Sequence, residues 1–266
     1  MLFEELMRHP EKYKKAECSG TSFTYQVLFC GTAYIVSTSN TLSELKQMYC
    51  VFQDRKFFGL QRYMVPKMRA EVQAKRLQKL NGKHAPRILA YDDCKKYSEH
   101  YEGGKVSAGS VIRRQSRPVI LREFVKGRNI LDTPFKNWTL DAAVDSIKNI
   151  HAEGIIFDPH IKNLVEHRPT VYWVEVGRIK DERDPDYAKA ENLLKFVYST
   201  WTYTRSPELT VHAATAVKQH YREPEVIDHL RQMVTKLPDR LSMYFTTRMP
   251  VFNQRLQRDI NLILTK

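Results

Sequence analysis

IHAEGIIFDPHIKNLVEHRPTVYWVEVGRI, from Ile150 to Ile179, sets an Asp and an Asn five positions apart between a helical pattern and a later strand. Asp158 is followed by Pro159, so it opens a tight turn that can hold a carboxylate towards a substrate. From there the carboxylate can accept the proton of an attacking hydroxyl. Asn163 would turn its amide oxygen, a hard neutral donor, towards a divalent cation. Twelve residues beyond Asn163, VYWVEVG places Glu175 just ahead of a glycine, where a carboxylate can serve the same cation. An Asp-Pro pair is also an ordinary turn opening, so the flanking pattern must carry part of the weight.

That pattern is consistent on both sides. Before the loop, LDAAVDSIKNIHAEG puts Leu140, Ala143, Val144, Ile147 and Ile150 on one helical face, with Gly154 just beyond the end. His151, near that end, is expected to cap carbonyls or pack against the loop, and His160 to orient the loop or simply pack. After the loop the chain stays largely helical through YAKAENLLKFVYSTWTY, TVHAATAVKQHY, PEVIDHLRQMVTKL and MPVFNQRLQRDINLILTK. The last stretch, Pro224 to Lys266, mixes Lys and Arg with Leu, Met and Phe; it either packs on the second lobe or meets a membrane surface or partner.

The first half is different in kind. TSFTYQVLF and GTAYIVSTS flank a Cys-Gly pair in the manner of a β-hairpin. After Pro66, KMRAEVQAKRLQKLNG combines strong helix formers with an Asn-Gly stop. APRILAYDD reads as a strand, CKKYSEHYEGGKVSAGS as a loop or irregular hairpin tip, and SVIRRQSRPVILREFV as one or two strands. The expected organisation is α+β and two-lobed: a β-rich lobe with one principal helix over residues 1–125, and a mainly helical lobe over 126–266.

Composition narrows the function classes. The chain has 266 residues, 42% hydrophobic and 27% charged, which suits an ordered globule and not a disordered chain. Cys18, Cys30, Cys50 and Cys94 show no CxxC spacing, which argues against zinc and for free thiols in a reducing compartment. The early acids and bases of MLFEELMRHPEKYKK do not make a secretory signal, and no apolar run approaches the roughly 18 residues a membrane span needs. A cytoplasmic location is expected. The net charge of +13 calls for an anionic partner: nucleic acid, lipid headgroups or a phosphorylated substrate.

A β-rich lobe, a short link and a helical lobe opening with this loop make a protein-kinase-like arrangement. The run FVKGRNILDTPFKNWTLDAAVDSIKNIHAEGIIFDPHIKNLV resembles the corresponding region of bacterial lipopolysaccharide core heptose kinases of the WaaY (RfaY) type. The likeness is clearest from about Val119 to Arg178. It implies ATP with Mg2+, or Mn2+ in its place, and a nucleotide lying between the lobes. Asp158 then matches the family's catalytic Asp, Asn163 its metal-binding Asn, and Glu175 falls where the family has a metal-chelating Asp. Glu123, Phe124 and Val125 match the hinge whose backbone bonds adenine. Glu71 matches the acid that pairs with a strand lysine gripping the phosphates. The implied acceptor is a sugar hydroxyl of an anionic glycolipid, reached at the cytoplasmic face of the inner membrane with peripheral contact to it.

Three departures keep other readings open. The strand lysine is missing, since its position falls at about Val36 or Ser37; Lys46 or Arg55 would have to substitute. Ser19-Gly20-Thr21 is a weak stand-in for a glycine-rich phosphate loop. Glu175 is one methylene longer than the family's Asp, and displacing a metal by that reach costs on the order of a hundredfold in rate. A pseudokinase scaffold would keep the fold and use the basic surface for a partner. A nucleic-acid-binding module is favoured by the charge and the 14 Tyr, but no binding motif is present and the basic residues are dispersed.

Overall fold

The computed structural model describes residues 5–6, 9–18, 23–38, 66–92, 97–100, 119–129, 136–167, 169–176, 184–236 and 254–265. Contacts divide the chain into two compact units, one built from residues 1–53, 62–126 and 176–178, the other from 54–61, 127–175 and 179–266. Among the described residues, the first unit is a six-stranded antiparallel sheet with strand order β1-β2-β3-β6-β4-β5 and one principal helix. Its strands are β1 (Lys14–Cys18), β2 (Phe23–Phe29), β3 (Thr32–Thr38), β4 (Ile88–Asp92), β5 (Tyr97–His100) and β6 (Val119–Glu123), and its helix is α1 (Pro66–Leu80).

The β2–β3 hairpin closes on Cys30 and Gly31, with φ of 48° and 75°. Two central residues at positive φ make the tight turn whose twist matches that of paired strands, and glycine takes that conformation without a Cβ clash. From the turn the register runs evenly from Phe29 opposite Thr32 to Phe23 opposite Thr38. Alternation then sorts the side chains: Val27, Val36, Leu89, Val119 and Leu121 join Leu6 in a fully buried cluster, and Tyr13 packs edge-on against Phe29 beside it, with ring centroids 5.1 Å apart. The helix α1 buries Ala70, Ala74, Leu77 and Leu80 and packs on β4 and β6. It ends on Asn81 and Gly82, both at positive φ, where the Asn81 N–H still reaches the Leu77 carbonyl.

One local expectation changes, and one strand has no counterpart in the sequence reading. YSEH pairs with β4 as β5, although it lies in a stretch whose glycines suggest a loop; the cross-strand partners Ala90 and Tyr91 supply the ladder that local composition does not. Lys14–Cys18 adds β1 at the far edge, which fits the rule that lysine-rich strands sit at sheet margins. Lys46, Arg55 and Ser19-Gly20-Thr21 lie outside the described residues.

The second unit is mainly helical. It contains α2 (Asn137–Ala152), α3 (Pro185–Thr204), α4 (Pro207–His220), α5 (Pro224–Lys236) and α6 (Gln254–Thr265), with a small antiparallel sheet of β7 (Arg128–Asn129), β8 (Leu164–His167) and β9 (Thr170–Trp173). Prolines open α3 and α4 at the position where a missing N–H costs nothing, and Asp184 and Ser206 cap them by accepting from Tyr187 and Leu209 N–H groups. The face of α2 expected to be apolar is fully buried. The helix α6 packs on α4 and α5 through Leu256, Ile260 and Leu264, leaving Leu262 exposed. Among the described residues no helix is long and apolar enough to cross a membrane.

Candidate active site

Asp158 lies on the segment between α2 and a single 3-10 turn at Ile161–Asn163, and its side chain is buried. The loop is held by its own backbone: the His160 N–H donates to the Asp158 carbonyl and the Asn163 N–H to the His160 carbonyl, each at 2.8 Å. Apolar packing anchors it from below. Phe157 meets Trp173 of β9 edge-on, with centroids 5.4 Å apart, and Trp173 in turn meets Phe196 of α3. Burying Phe157 on one side of Asp158 while His160 stays partly exposed on the other sets which way the carboxylate can look.

Asn163 leads directly into β8, and the β8–β9 hairpin brings the chain back so that Glu175 follows β9. The Asn163 carbonyl accepts from the Val174 N–H at 2.9 Å, and the Asn163 side-chain amide donates to the Glu175 carboxylate at 3.2 Å. These two residues, twelve apart in sequence, therefore touch through their side chains. Donating through nitrogen leaves the amide oxygen of Asn163 as a donor atom beside a carboxylate. That pair is what magnesium uses when nucleotide phosphates and water complete its shell. Among the described residues no three His, Cys, Asp or Glu gather as an all-protein metal site.

The remaining expected residues are in the first unit. Glu123 ends β6, and its carboxylate is tied to Arg87 by hydrogen bonds from Nε at 3.0 Å and from the backbone N–H at 3.2 Å, and by an ion pair with Nη2 at 2.8 Å. Its own N–H donates to the Arg87 carbonyl. Phe124 and Val125 follow outside the strand ladders, Phe124 exposed. Glu71 forms an exposed i,i+4 ion pair with Lys75 at 2.7 Å, and that partner raises the Lys75 pKa. Where a strand lysine is expected, Val36 is sealed in the apolar cluster and Ser37 hydrogen-bonds Thr24 at 3.3 Å. Neither position supplies charge.

Several supporting residues escape a reading of motifs. His151 is buried; the Asn192 amide donates to its Nε2 at 3.1 Å, so Nδ1 carries the proton and donates to the Tyr221 hydroxyl at 2.9 Å. Burial, then the charge of Glu223, pushes the Tyr221 hydroxyl well above its usual range. The Ile161 N–H donates to Ser199 of α3. Ser199 carries no sequence signal of its own; it lies on a helix whose residues are nearly all buried.

The antiparallel sheet with a helix inserted before β4, and a mainly helical unit that carries this loop and the β8–β9 hairpin, make an α+β fold. Comparison with models of known families and with curated proteins finds no match. Among solved structures, the chain is similar to one described as "WaaP in complex with acyl carrier protein", at 11% identity and a TM-score of 0.46, covering 98% of this chain and 96% of that one. It is also similar to a point mutant of the PknI kinase domain of Mycobacterium tuberculosis, at 13% identity and a TM-score of 0.41, covering 81% and 91% respectively.

Proposed function

We propose that the protein is a kinase-like phosphotransferase that moves the γ-phosphoryl group of ATP to a hydroxyl of a sugar, in an anionic glycolipid of the lipopolysaccharide core type. The observation that carries this is the side-chain contact between Asn163 and Glu175, in the same unit as a buried Asp on the preceding loop. Asp158 orients the acceptor hydroxyl and takes its proton as the oxygen attacks phosphorus. Asn163 and Glu175 hold the divalent cation, which neutralises phosphate charge when bound. The backbone of Glu123 to Val125 serves the adenine. A basic protein of net charge +13 suits an acceptor crowded with phosphates at the cytoplasmic face of the inner membrane.

Thermal shift with ATP plus magnesium or manganese tests nucleotide binding. Wild type and Asp158→Ala should both be stabilised by metal-nucleotide, whereas Glu175→Ala should lose the shift. Phosphate incorporation into purified core oligosaccharide should fall by about 10²- to 10⁴-fold in Asp158→Ala, the usual contribution of a positioned base. Absence of any shift at every nucleotide concentration would sink the proposal. A second reading, a nucleotide-binding pseudokinase, is favoured by one observation: Val36 and Ser37 offer no cation and Glu71 is engaged with Lys75. It predicts the shift without phosphate transfer.

A further inference from the structure

Helix α3 carries charge where a buried helix should carry none. From Ala190 to Trp201 every residue is buried, and a helix covered on all sides is expected to be apolar throughout. Among its several buried polar residues, Glu191, Lys195 and Ser199 lie at four-residue intervals and so form one row on one face. The Lys195 ammonium lies 3.2 Å from Glu191 Oε1 and 3.8 Å from Asp158 Oδ1, and the three side chains are 5–7% exposed. At the end of the same row, Ser199 accepts from the Ile161 N–H and donates to the Phe196 carbonyl, each at 3.0 Å. The row thus meets the loop at two places, by charge at Asp158 and by hydrogen bond at Ile161.

Stability alone does not account for this row. Withdrawing an ammonium and two carboxylates from water carries a heavy desolvation penalty, and a well-packed apolar side chain of similar volume is often as good or better for folding. What an apolar side chain cannot do is fix a neighbouring carboxylate. The other side of Asp158 has a different partner: His160 Nε2 stands 3.4 Å from Oδ2 and is 27% exposed. Oδ1 therefore faces a buried, fixed cation, and Oδ2 faces the solvent-accessible edge where an acceptor hydroxyl can arrive.

We propose that Lys195 is a positioning residue for Asp158: held by Glu191, its ammonium keeps the carboxylate ionised and oriented, with Oδ2 presented to the acceptor. This rests on the phosphotransferase reading, in which Asp158 is the base. Among the described residues, the titratable and charged groups that face Asp158 include Lys195 and Glu191 from α3 and His160 from the loop itself.

The test compares full-length wild type with Lys195→Met, Lys195→Arg and Glu191→Gln. In Lys195→Met, kcat should fall roughly a hundredfold, as for a misplaced reacting group. The nucleotide KM should stay within about threefold, because ground-state binding is untouched. The acid limb of the kcat-pH profile should rise by about one pH unit or more, since removing an adjacent opposite charge favours the protonated carboxyl. Lys195→Arg should restore the pH limb. A second readout needs no turnover: the carboxyl 13C resonance of Asp158, assigned by its loss in Asp158→Asn, should titrate at higher pH in Lys195→Met. If wild type transfers no phosphate, the phosphotransferase reading fails and this resonance alone decides the Lys195–Asp158 coupling. If Lys195→Met does not fold, Lys195→Arg and Glu191→Gln carry the comparison, the latter by freeing the ammonium to shift the Asp158 titration. An unmoved pH limb or an unmoved resonance overturns the proposal, as does loss of activity that Arg does not rescue.

Discussion

At the scale of single residues, His151 shows how much of the site is held from behind. It joins α2 to α3 through Asn192 and to the start of the α4–α5 connection through Tyr221, all in buried surroundings. His151→Phe keeps the ring's bulk but strands an amide and a hydroxyl; each unmet buried group costs about 1–3 kcal/mol. The midpoint of urea unfolding should fall accordingly with an unchanged slope. Asp158, Asn163 and Glu175 could be singled out from the sequence because each chemistry demands a particular side chain at a particular spacing. Lys195 and Ser199 could not. Their roles depend on which helical face turns towards the loop, and that is settled by packing between segments distant in the chain. His151, expected to cap carbonyls or pack against the loop, is buried and hydrogen-bonded to Tyr221.

At the scale of elements, the passage from β6 to β7 is constrained by a close approach. A Cβ on Gly127 would press on the Glu166 carbonyl oxygen and sit 2.6 Å from Val165 Cγ1, both in β8. Backbone cannot give way as a flexible side chain can, so β8 would have to move, and it leads directly out of Asn163. Gly127→Ala should therefore lower stability by about 1–3 kcal/mol, the cost of forcing atoms into a packed site. Differential scanning calorimetry would show it as a lower Tm. The helices and the β2–β3 hairpin were readable because their signals are local: apolar periodicity, an Asn-Gly stop, a two-residue turn. The strands β1 and β5 were not, since Lys14–Cys18 and YSEH owe their conformation to neighbours from other parts of the chain.

At the scale of the whole molecule, titration sets the pH range of stability. Burial and the adjacent Lys83 lower the pKa of His84 from 6.5, so the unfolded chain binds that proton more readily and stability is lost as pH falls below 6.5. Burial pushes the Tyr198 and Tyr221 hydroxyls above 10.0. Burial lowers the Lys189 pKa, but its bonds to Glu223 and Asp186 outweigh that and leave it above 10.5. For these three the folded state keeps its protons longer than the unfolded state, so stability is fully present below pH 10 and falls as pH rises through the folded values. Unfolding midpoints measured across pH should therefore show a plateau between about 6.5 and 10, with an alkaline decline reduced in Tyr198→Phe. The edge-to-face cluster of Phe157, Trp173 and Phe196 has one more consequence. It seats an indole chromophore, fully shielded from solvent, under the residue next to Asp158, so the protein carries its own optical gauge of that loop. Any displacement of the loop that admits water will redden the emission of Trp173.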